Sequence, residues 1–191
     1  SVLEAAGIGV GDEVIVPPLT MSATSLAVLH ANATPVFADV DIDTFNIDPK
    51  SIEKNITAKT KAIITVALYG LSPDIDPIMN LAKKYNLLVI EDNAQAFLSY
   101  YKNKLVGTFG DAASFSFQSS KHLSSGEGGI ITTNNQDLAI GVRKVTGLGY
   151  KNISATKARI SKDEIQPPSF ERHDYIGWNY RMSELNWAVA L

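Results

Sequence analysis

The amino-acid sequence predicts an α/β fold, with a mainly parallel sheet and helices on both faces. Short β-branched runs alternate with amphipathic stretches as far as residue 145, a pattern typical of strand and helix units whose successive strands run parallel. The run 87–90 is apolar throughout, as expected of a strand that is buried on both faces of a sheet. The sequence contains no internal repeat, so a solenoid is not supported.

The first half of the chain contains three predicted strands and two predicted helices. Strands are expected at 13–17, 35–40 and 61–68, and a helix at 22–31. In that helix we expect Leu26 and Leu29 to face the core. Asp48 precedes Pro49, and a capping acid followed by proline at the first helical position predicts the start of the other helix.

The second half continues the same alternation. Asp76 and Pro77 repeat the capping pattern, which predicts a helix that ends at Asn86, before the strand at 87–92. The apolar positions of this helix are Ile78, Leu81, Ala82 and Tyr85. A further strand is expected at 129–133, followed by a helix at 137–145. The apolar stripe of that last helix consists of Leu138, Val142 and Val145.

Composition and charge narrow the class of protein. The chain has 191 residues, of which 45% are hydrophobic and 19% charged, a composition that is ordinary for one globular domain. Its net charge is -3, so we expect no nucleic-acid partner. It has no cysteine, and its three histidines are scattered, so we expect no disulfide and no metal site. Without a membrane-length apolar run or a signal-peptide pattern, we expect no membrane association and a cytoplasmic location.

Both ends of the sequence have the character of internal positions. The chain begins at Ser1 with a helix-like stretch and no methionine, and it ends at Leu191 within an apolar pattern. Because domain boundaries usually fall in exposed polar linkers, we expect the chain to be an internal portion of a longer protein.

One lysine is predicted to lie at the rim of the sheet, in a turn after a strand. Phe115 and Phe117 alternate with small residues, as on a half-buried strand, and polar residues then lead to Lys121 and the glycine-rich run 126–129. A partly desolvated amine in such a place can form a Schiff base with an aldehyde. The alternative is a solvated lysine beside a turn, the common state of surface lysines.

An acidic residue ends the buried strand that precedes this lysine in the chain. Asp92 closes the apolar run, and ligands of open parallel sheets bind beyond the carboxyl ends of the strands. If the two strands are parallel, Asp92 and Lys121 face one crevice. Pyridoxal phosphate needs a lysine for its aldehyde and an acid for its ring nitrogen. A salt bridge or a helix cap made by Asp92 is the alternative.

The stretch 147–169 interrupts the alternation of strands and helices. It is rich in lysine, serine and proline and predicts a long mobile loop. Its basic residues are Lys151, Lys157, Arg159 and Lys162. They form either a solvated face or a surface that attracts a phosphorylated ligand.

Six motifs occur in order over nearly the whole chain. They are Gly11-Asp12-Glu13-Val14-Ile15-Val16-Pro17, Thr20 with Ala23-Thr24, Pro35-Val36-Phe37-Ala38-Asp39-Val40-Asp41, Glu91-Asp92-Asn93-Ala94-Gln95-Ala96, the segment 116–129, and Asn179-Tyr180-Arg181-Met182. Together they resemble the DegT-type sugar nucleotide aminotransferases. The resemblance implies the type I pyridoxal phosphate aminotransferase fold, a large, mostly parallel seven-stranded domain with a smaller C-terminal domain, in a homodimer. Residues 1–191 are then expected to be the large cofactor-binding domain, without the N-terminal phosphate loop and the small domain.

The resemblance also implies roles for individual residues. Lys121 would form the Schiff base with pyridoxal phosphate and move the proton during amine transfer. Asp92 would pair with the ring nitrogen, and Gln95 would contact the phenolic oxygen. Ser116 would bind the cofactor's phosphate, and Asn179 would reach the phosphate in the partner subunit.

Two positions depart from the family pattern. Met21 follows Thr20 where the family usually has an aromatic ring that stacks on the cofactor, and a thioether gives a softer platform. Gln118 stands where a histidine is common, which affects substrate contacts. One relative has histidine in place of the lysine and is a sugar dehydratase, but the motif register puts Lys121, and not His122, at the Schiff-base position.

The activity implied by the resemblance is a transamination in two halves. Glutamate leaves its nitrogen on the cofactor, which then aminates the keto group of a nucleotide-linked deoxysugar. Arg181 and the loop at 147–169 are candidates for holding the nucleotide diphosphate. Two alternatives stay open: another pyridoxal phosphate reaction, such as sugar dehydration or the formation of an aminocyclitol or aromatic product, and a non-catalytic regulatory protein on the same fold.

Overall fold

The computed structural model describes residues 1–151, 153–154 and 167–191. These residues form two compact units. The smaller unit consists of Ser1–Gly7 and Asn134–Arg181, and the larger unit consists of Ile8–Thr133 and Met182–Leu191. Most of the predicted loop at 147–169 lies outside the described residues, so the prediction of its mobility is not tested.

Eight strands occur in the larger unit. They are β1 (Glu13–Val16), β2 (Thr34–Phe37), β3 (Thr60–Val66), β4 (Leu88–Asp92), β5 (Tyr100–Tyr101), β6 (Lys104–Leu105), β7 (Ala112–Ser116) and β8 (Gly129–Thr132). Six of them form one sheet in the order β2-β1-β3-β4-β7-β8, and β5 pairs with β6 in a small hairpin. Every neighbour in the large sheet is parallel except the pair β7 and β8. The predicted mainly parallel α/β architecture is therefore confirmed. The large sheet has six strands in the described residues, whereas the resemblance implies seven.

The helices of the described residues alternate with the strands as far as β4, and the last two helices follow β8. The helices are α1 (Val2–Ala5), α2 (Ala23–His30), α3 (Pro49–Asn55), α4 (Ile75–Tyr85), α5 (Gln136–Thr146) and α6 (Glu184–Ala190). Helices α1 and α5 belong to the smaller unit, where they pack against each other. None of the helices in the described ranges has the length and apolar character needed to span a bilayer.

The core of the larger unit lies on both faces of the sheet. Ile15, Ile63 and Val89 are neighbours across β1, β3 and β4, and all are fully buried. They pack with Ile52 of α3 and Ile78 of α4. Alternate strand residues point to the opposite face, and there Val14 and Val16 of β1 and Ile90 of β4 are buried as well. Each fully buried isoleucine contributes about 1.5–3 kcal/mol to stability.

Helix α2 buries a different face from the one predicted. Leu26 and Leu29 are 56% and 53% exposed, whereas Thr24 and Val28 are buried, so the prediction that the two leucines face the core is wrong. The helix has apolar or small side chains around most of its circumference. Hydrophobic spacing therefore did not determine which side faces the sheet.

One of the two predicted aspartate caps is present. Asp48 accepts the backbone N–H of Lys50 at the start of α3, as predicted. Asp76 is not a cap, because α4 already begins at Ile75 and the Asp76 carboxylate instead accepts a hydrogen bond from Lys102 Nζ at 2.6 Å. An acid in the first turn still interacts favourably with the helix dipole.

The strand order reverses between β2 and β3, the two neighbours of β1. The chain passes from β1 to β2 on one side and then returns to β3 on the other. In open parallel sheets such a reversal opens a crevice at the carboxyl ends of the strands. The segments that follow β1, β3, β4 and β7 all leave from this edge, because these strands run in the same direction.

Candidate active site

Asp92 lies at the carboxyl end of β4, between Val66 of β3 and Ser114 of β7. Its Oδ2 accepts the hydroxyl proton of Thr24 at 2.9 Å, and its Oδ1 accepts the backbone N–H of Ala94 at 3.1 Å. Asp92 makes no ion pair within the described ranges. Two neutral donors therefore orient a carboxylate that is half-buried at the sheet edge.

Gln95 is tied to the segment that follows β3. Its Oε1 accepts the backbone N–H of Tyr69 at 2.9 Å. Because an N–H donor must face an oxygen, this bond places the Gln95 amide oxygen towards Tyr69 and the –NH₂ group on the other side. The –NH₂ end of the side chain is then the one that can donate to a ligand at this edge. Tyr69 itself has a positive φ of 53°, an uncommon conformation for a bulky residue.

Glu91 is an anchoring residue that the sequence analysis did not single out. It is 3% exposed, and its carboxylate accepts the backbone N–H groups of Gly107, Phe109 and Gly110 at 2.6, 2.8 and 2.7 Å. Three donors offset the cost of burying a carboxylate. They also fix the segment 107–110 against the strand that ends at Asp92. The two closely spaced glycines were the only sequence signal of this contact.

Lys121 lies in a turn beyond the carboxyl end of β7, as predicted. Strand β7 ends at Ser116, and the Lys121 backbone N–H donates to Gln118 O at 2.9 Å. The lysine is half-buried. Because β4 and β7 are adjacent and parallel, the segments that carry Asp92 and Lys121 leave the sheet at the same edge from neighbouring strands.

Ser116 is the last residue of β7, and its side chain orders the turn. Ser116 Oγ accepts the backbone N–H of Gln118 at 3.3 Å. The hydroxyl proton therefore points elsewhere, which suits donation to an anion. The Gln118 side chain stays within the turn, since its Oε1 accepts from Ser120 N and Oγ at 2.9 and 2.7 Å.

The glycine-rich run after Lys121 is held by the C-terminal segment of the larger unit. Asn186 Nδ2 donates to the carbonyl oxygens of Ser125 and Glu127 at 2.6 and 2.9 Å. A Cβ on Gly128 would lie 2.8 Å from the Met182 sulfur. A side chain at this glycine would therefore displace Met182, and the sequence motif did not reveal this contact.

Met21 and Thr20 belong to the connection between β1 and α2. Met21 is 64% exposed, and its carbonyl oxygen accepts the backbone N–H of Thr24 at 3.2 Å. Met21 is thus placed within one turn of the residue that holds Asp92. A flexible apolar side chain here is accessible to a ligand at the carboxyl edge.

Asn179 and Arg181 lie in the smaller unit. Asn179 Oδ1 accepts from Arg181 Nε at 2.9 Å, and the Asn179 backbone pairs with Gly147. Of the basic residues predicted to attract a phosphorylated ligand, Lys151 forms an ion pair with Glu171. Hydrogen bonding to this carboxylate raises the pKa of Lys151. The other three, at positions 157, 159 and 162, lie outside the described residues.

Comparison with known proteins identifies the family. A model of the DegT/DnrJ/EryC1/StrS aminotransferase family matches residues 1–191. The chain belongs to this family. It is 44% identical over 189 residues to GDP-perosamine synthase of Caulobacter vibrioides, a match that covers 99% of this chain and 47% of that protein. The chain therefore spans about half the length of the curated relatives it matches.

Solved structures of similar proteins share the architecture. The aminotransferase from Psychrobacter cryohalolentis has a TM-score of 0.88 at 40% identity, over 99% of this chain and 47% of that one. The structure of ntda from Bacillus subtilis with bound cofactor PMP has a TM-score of 0.85 at 32% identity, over 99% of this chain and 40% of that one. These structural likenesses confirm the predicted fold class.

Proposed function

We propose that the protein transfers an amino group from glutamate, through pyridoxal phosphate, to the keto group of a nucleotide-linked deoxysugar. The observation that carries this proposal is the placement of Asp92 at the carboxyl end of β4 and of Lys121 just beyond the carboxyl end of β7, the adjacent parallel strand. Membership of an aminotransferase family and the likeness to a GDP-perosamine synthase support the same activity. The likeness to a protein with bound PMP supports the cofactor.

The polar groups at this edge suit pyridoxal phosphate. A protonated ring nitrogen needs an acceptor, and the Asp92 carboxylate keeps unused lone pairs after accepting two hydrogen bonds. A phenolate oxygen needs a donor, and Gln95 has its –NH₂ end available because its oxygen is bonded to the Tyr69 N–H. A phosphate needs donors, and Ser116 has a hydroxyl proton to give. Acceptor and donors thus match the cofactor's three polar regions.

Lys121 is proposed to provide the amine that bonds to the cofactor and the base that moves the proton. When bound, pyridoxal phosphate supplies an aldehyde that takes up an amine and a protonated ring that withdraws electrons from the neighbouring carbon. Once released, Lys121 Nζ would take a proton from the donor carbon bonded to the transferred nitrogen and would deliver it to the cofactor carbon bonded to the same nitrogen. Asp92 would hold the proton on the ring nitrogen.

The remaining proposed contacts concern the ring face and the second subunit. Met21 is proposed to pack on one face of the ring, and its exposure fits this role. Asn179 of the partner subunit is proposed to bind the cofactor's phosphate in a homodimer. The exposed leucines of α2, Leu26 and Leu29, support a dimer, because exposed apolar surface near a site favours association. We further propose that the chain is the large cofactor-binding domain of a longer cytoplasmic polypeptide.

Chemical trapping tests the site assignment. Full-length protein is incubated with pyridoxal phosphate, reduced with borohydride, digested and mapped by mass spectrometry. We expect the label on Lys121 and no label in Lys121→Ala. The matched control is Lys61→Ala, because Lys61 is an exposed residue near the amino end of β3 and its loss should leave labelling unchanged. A label on another lysine would overturn the assignment.

Product analysis tests the activity separately. Full-length protein is supplied with a nucleotide-linked keto-deoxysugar and nitrogen-labelled glutamate. The proposal predicts a nucleotide-linked amino sugar that carries the label, and no product with Lys121→Ala. A dehydrated sugar with no incorporated nitrogen would show that the protein performs another reaction of the same cofactor.

A further inference from the structure

Two hydroxyl groups, one from helix α2 and one from the loop before it, form a chain of hydrogen bonds that ends at the carboxylate of Asp92. Thr24 Oγ1 donates to Asp92 Oδ2 at 2.9 Å, and Thr20 Oγ1 lies 3.3 Å from Thr24 Oγ1. A hydroxyl has a single proton to donate. Because Thr24 gives its proton to Asp92, Thr20 must be the donor in the second pair. The hydrogen bonds therefore run in one direction, from Thr20 to Thr24 and on to Asp92.

The position of Thr24 is one where an apolar residue would otherwise be expected. Thr24 is 3% exposed, and Val28, one turn later on the same face of α2, is fully buried. A valine at position 24 would fill nearly the same volume without a hydroxyl to desolvate. A threonine within a helix can bond to a backbone carbonyl of the preceding turn. Thr24 instead donates to an acid 68 residues away in sequence.

This hydrogen bond restricts the orientation of the acid. Asp92 Oδ1 is held by the N–H of Ala94 at 3.1 Å, so each carboxylate oxygen has one donor. With only the Ala94 contact, the carboxylate could rotate about its terminal bond, because such bonds have broad torsional preferences. With both contacts, the plane of the carboxylate is fixed. The lone pairs that remain then point in set directions from the sheet edge.

We propose that Thr24 is a positioning residue that aims the Asp92 carboxylate at the ring nitrogen of pyridoxal phosphate. The proposal rests on the proposed function, in which Asp92 binds that nitrogen. Thr24 acts through Asp92 alone, so its contribution depends on a proton at the ring nitrogen. Thr20 supports the orientation of the Thr24 hydroxyl and has a smaller effect.

The test compares two cofactors in two forms of the full-length apoprotein. The cofactors are pyridoxal phosphate and its 1-deaza analogue, in which a carbon replaces the ring nitrogen. Dissociation constants are measured by equilibrium dialysis for the wild type and for Thr24→Val. We expect Thr24→Val to weaken binding of pyridoxal phosphate about tenfold, the effect of one lost hydrogen bond to a charged group. Binding of the deaza analogue should change less than about twofold, since its ring has no N–H group that can donate a hydrogen bond to Asp92.

Two further variants separate positioning from folding. Thr24→Ser keeps the hydroxyl and should restore binding of pyridoxal phosphate to within about threefold of the wild type. Thr60→Val is the matched control, because Thr60 is a buried threonine at the amino end of β3 whose hydroxyl accepts the Thr57 N–H. It should not change the ratio of the two dissociation constants. If Thr24→Val does not fold, as judged by circular dichroism, Thr24→Ala replaces it.

The outcomes distinguish this inference from the proposed function. An equal loss for both cofactors in Thr24→Val, or no loss for either, would overturn the positioning role while leaving the function intact. If the wild type binds both cofactors equally well, Asp92 does not hold the ring nitrogen, and both proposals fail. A selective loss for pyridoxal phosphate, restored by serine, is the result that the positioning role requires.

Discussion

Replacing Glu91 by glutamine should destabilise the protein strongly although the two side chains have the same shape. Glu91 Oε1 accepts the N–H groups of Phe109 and Gly110, and Oε2 accepts that of Gly107. Glutamine has one oxygen in place of two. If that oxygen occupies the Oε1 position, the amide –NH₂ faces the Gly107 N–H, so one bond becomes a clash of two donors. In the opposite orientation two bonds are lost.

The magnitude follows from the number and kind of these bonds. A hydrogen bond to a charged group contributes about 1.5–3 kcal/mol and a neutral one about 0.5–1.5 kcal/mol. Glutamine loses one charge-assisted bond and converts two to neutral bonds, but it also costs less to desolvate. We expect a net loss of about 2–3 kcal/mol. For a chain of this size the melting temperature should fall by about 4–12 °C.

Thermal unfolding followed by circular dichroism measures this effect. Glu53→Gln is the matched control, because Glu53 is an exposed carboxylate of α3 that pairs with Lys84, and exposed ion pairs contribute little. The variant Glu91→Gln should melt well below both the wild type and this control. If Glu91→Gln and Glu53→Gln melt together, the three N–H contacts do not stabilise the fold, and the reasoning is refuted.

Three further predictions concern packing, the ring platform and pH. A Cβ on Gly110 would lie 2.7 Å from a backbone oxygen of β4, whereas a Cβ on Gly9 would lie 3.5 Å from the nearest backbone oxygen. In urea titrations Gly110→Ala should therefore lower the free energy of unfolding by about 1–3 kcal/mol, and Gly9→Ala should not. Met21→Phe should strengthen binding of pyridoxal phosphate a few-fold in equilibrium dialysis, because an aromatic ring stacks better than a thioether; unchanged binding would exclude Met21 as the platform. The hydrogen bond from Lys84 lowers the pKa of Glu53 below its usual 4.5. The pair's contribution to stability is therefore present above pH 4.5 and is lost as the pH falls through the lowered pKa. The melting temperatures of wild type and Glu53→Gln should converge as the pH falls through that range, and a difference that stays constant with pH would contradict this.

The sequence predicted the elements whose patterns are local. The stripe of Leu138, Val142 and Val145 is buried in α5 as expected, and Asn86 ends α4 in a left-handed conformation. The apolar run before Asp92 forms a buried parallel strand. In each of these cases the pattern that predicted the element spans only a few neighbouring positions.

The contacts that complete the candidate site could not be read from local patterns. Thr24 reaches Asp92 across 68 residues, and Glu91 reaches Gly107 across 16. These pairings depend on which strands are neighbours and on which face of α2 is buried. Leu26 and Leu29 made the wrong face appear apolar, so the polar side chain that contacts the acid was overlooked.

The central claim is that Asp92 and Lys121 serve one cofactor. Nitrogen NMR tests it most directly, with ring-labelled pyridoxal phosphate fixed on Lys121 of the full-length protein by borohydride. The ring nitrogen should be protonated at neutral pH in the wild type and should lose that proton in Asp92→Asn, because an amide cannot stabilise the pyridinium charge. The same ring-nitrogen signal in both proteins would contradict the claim.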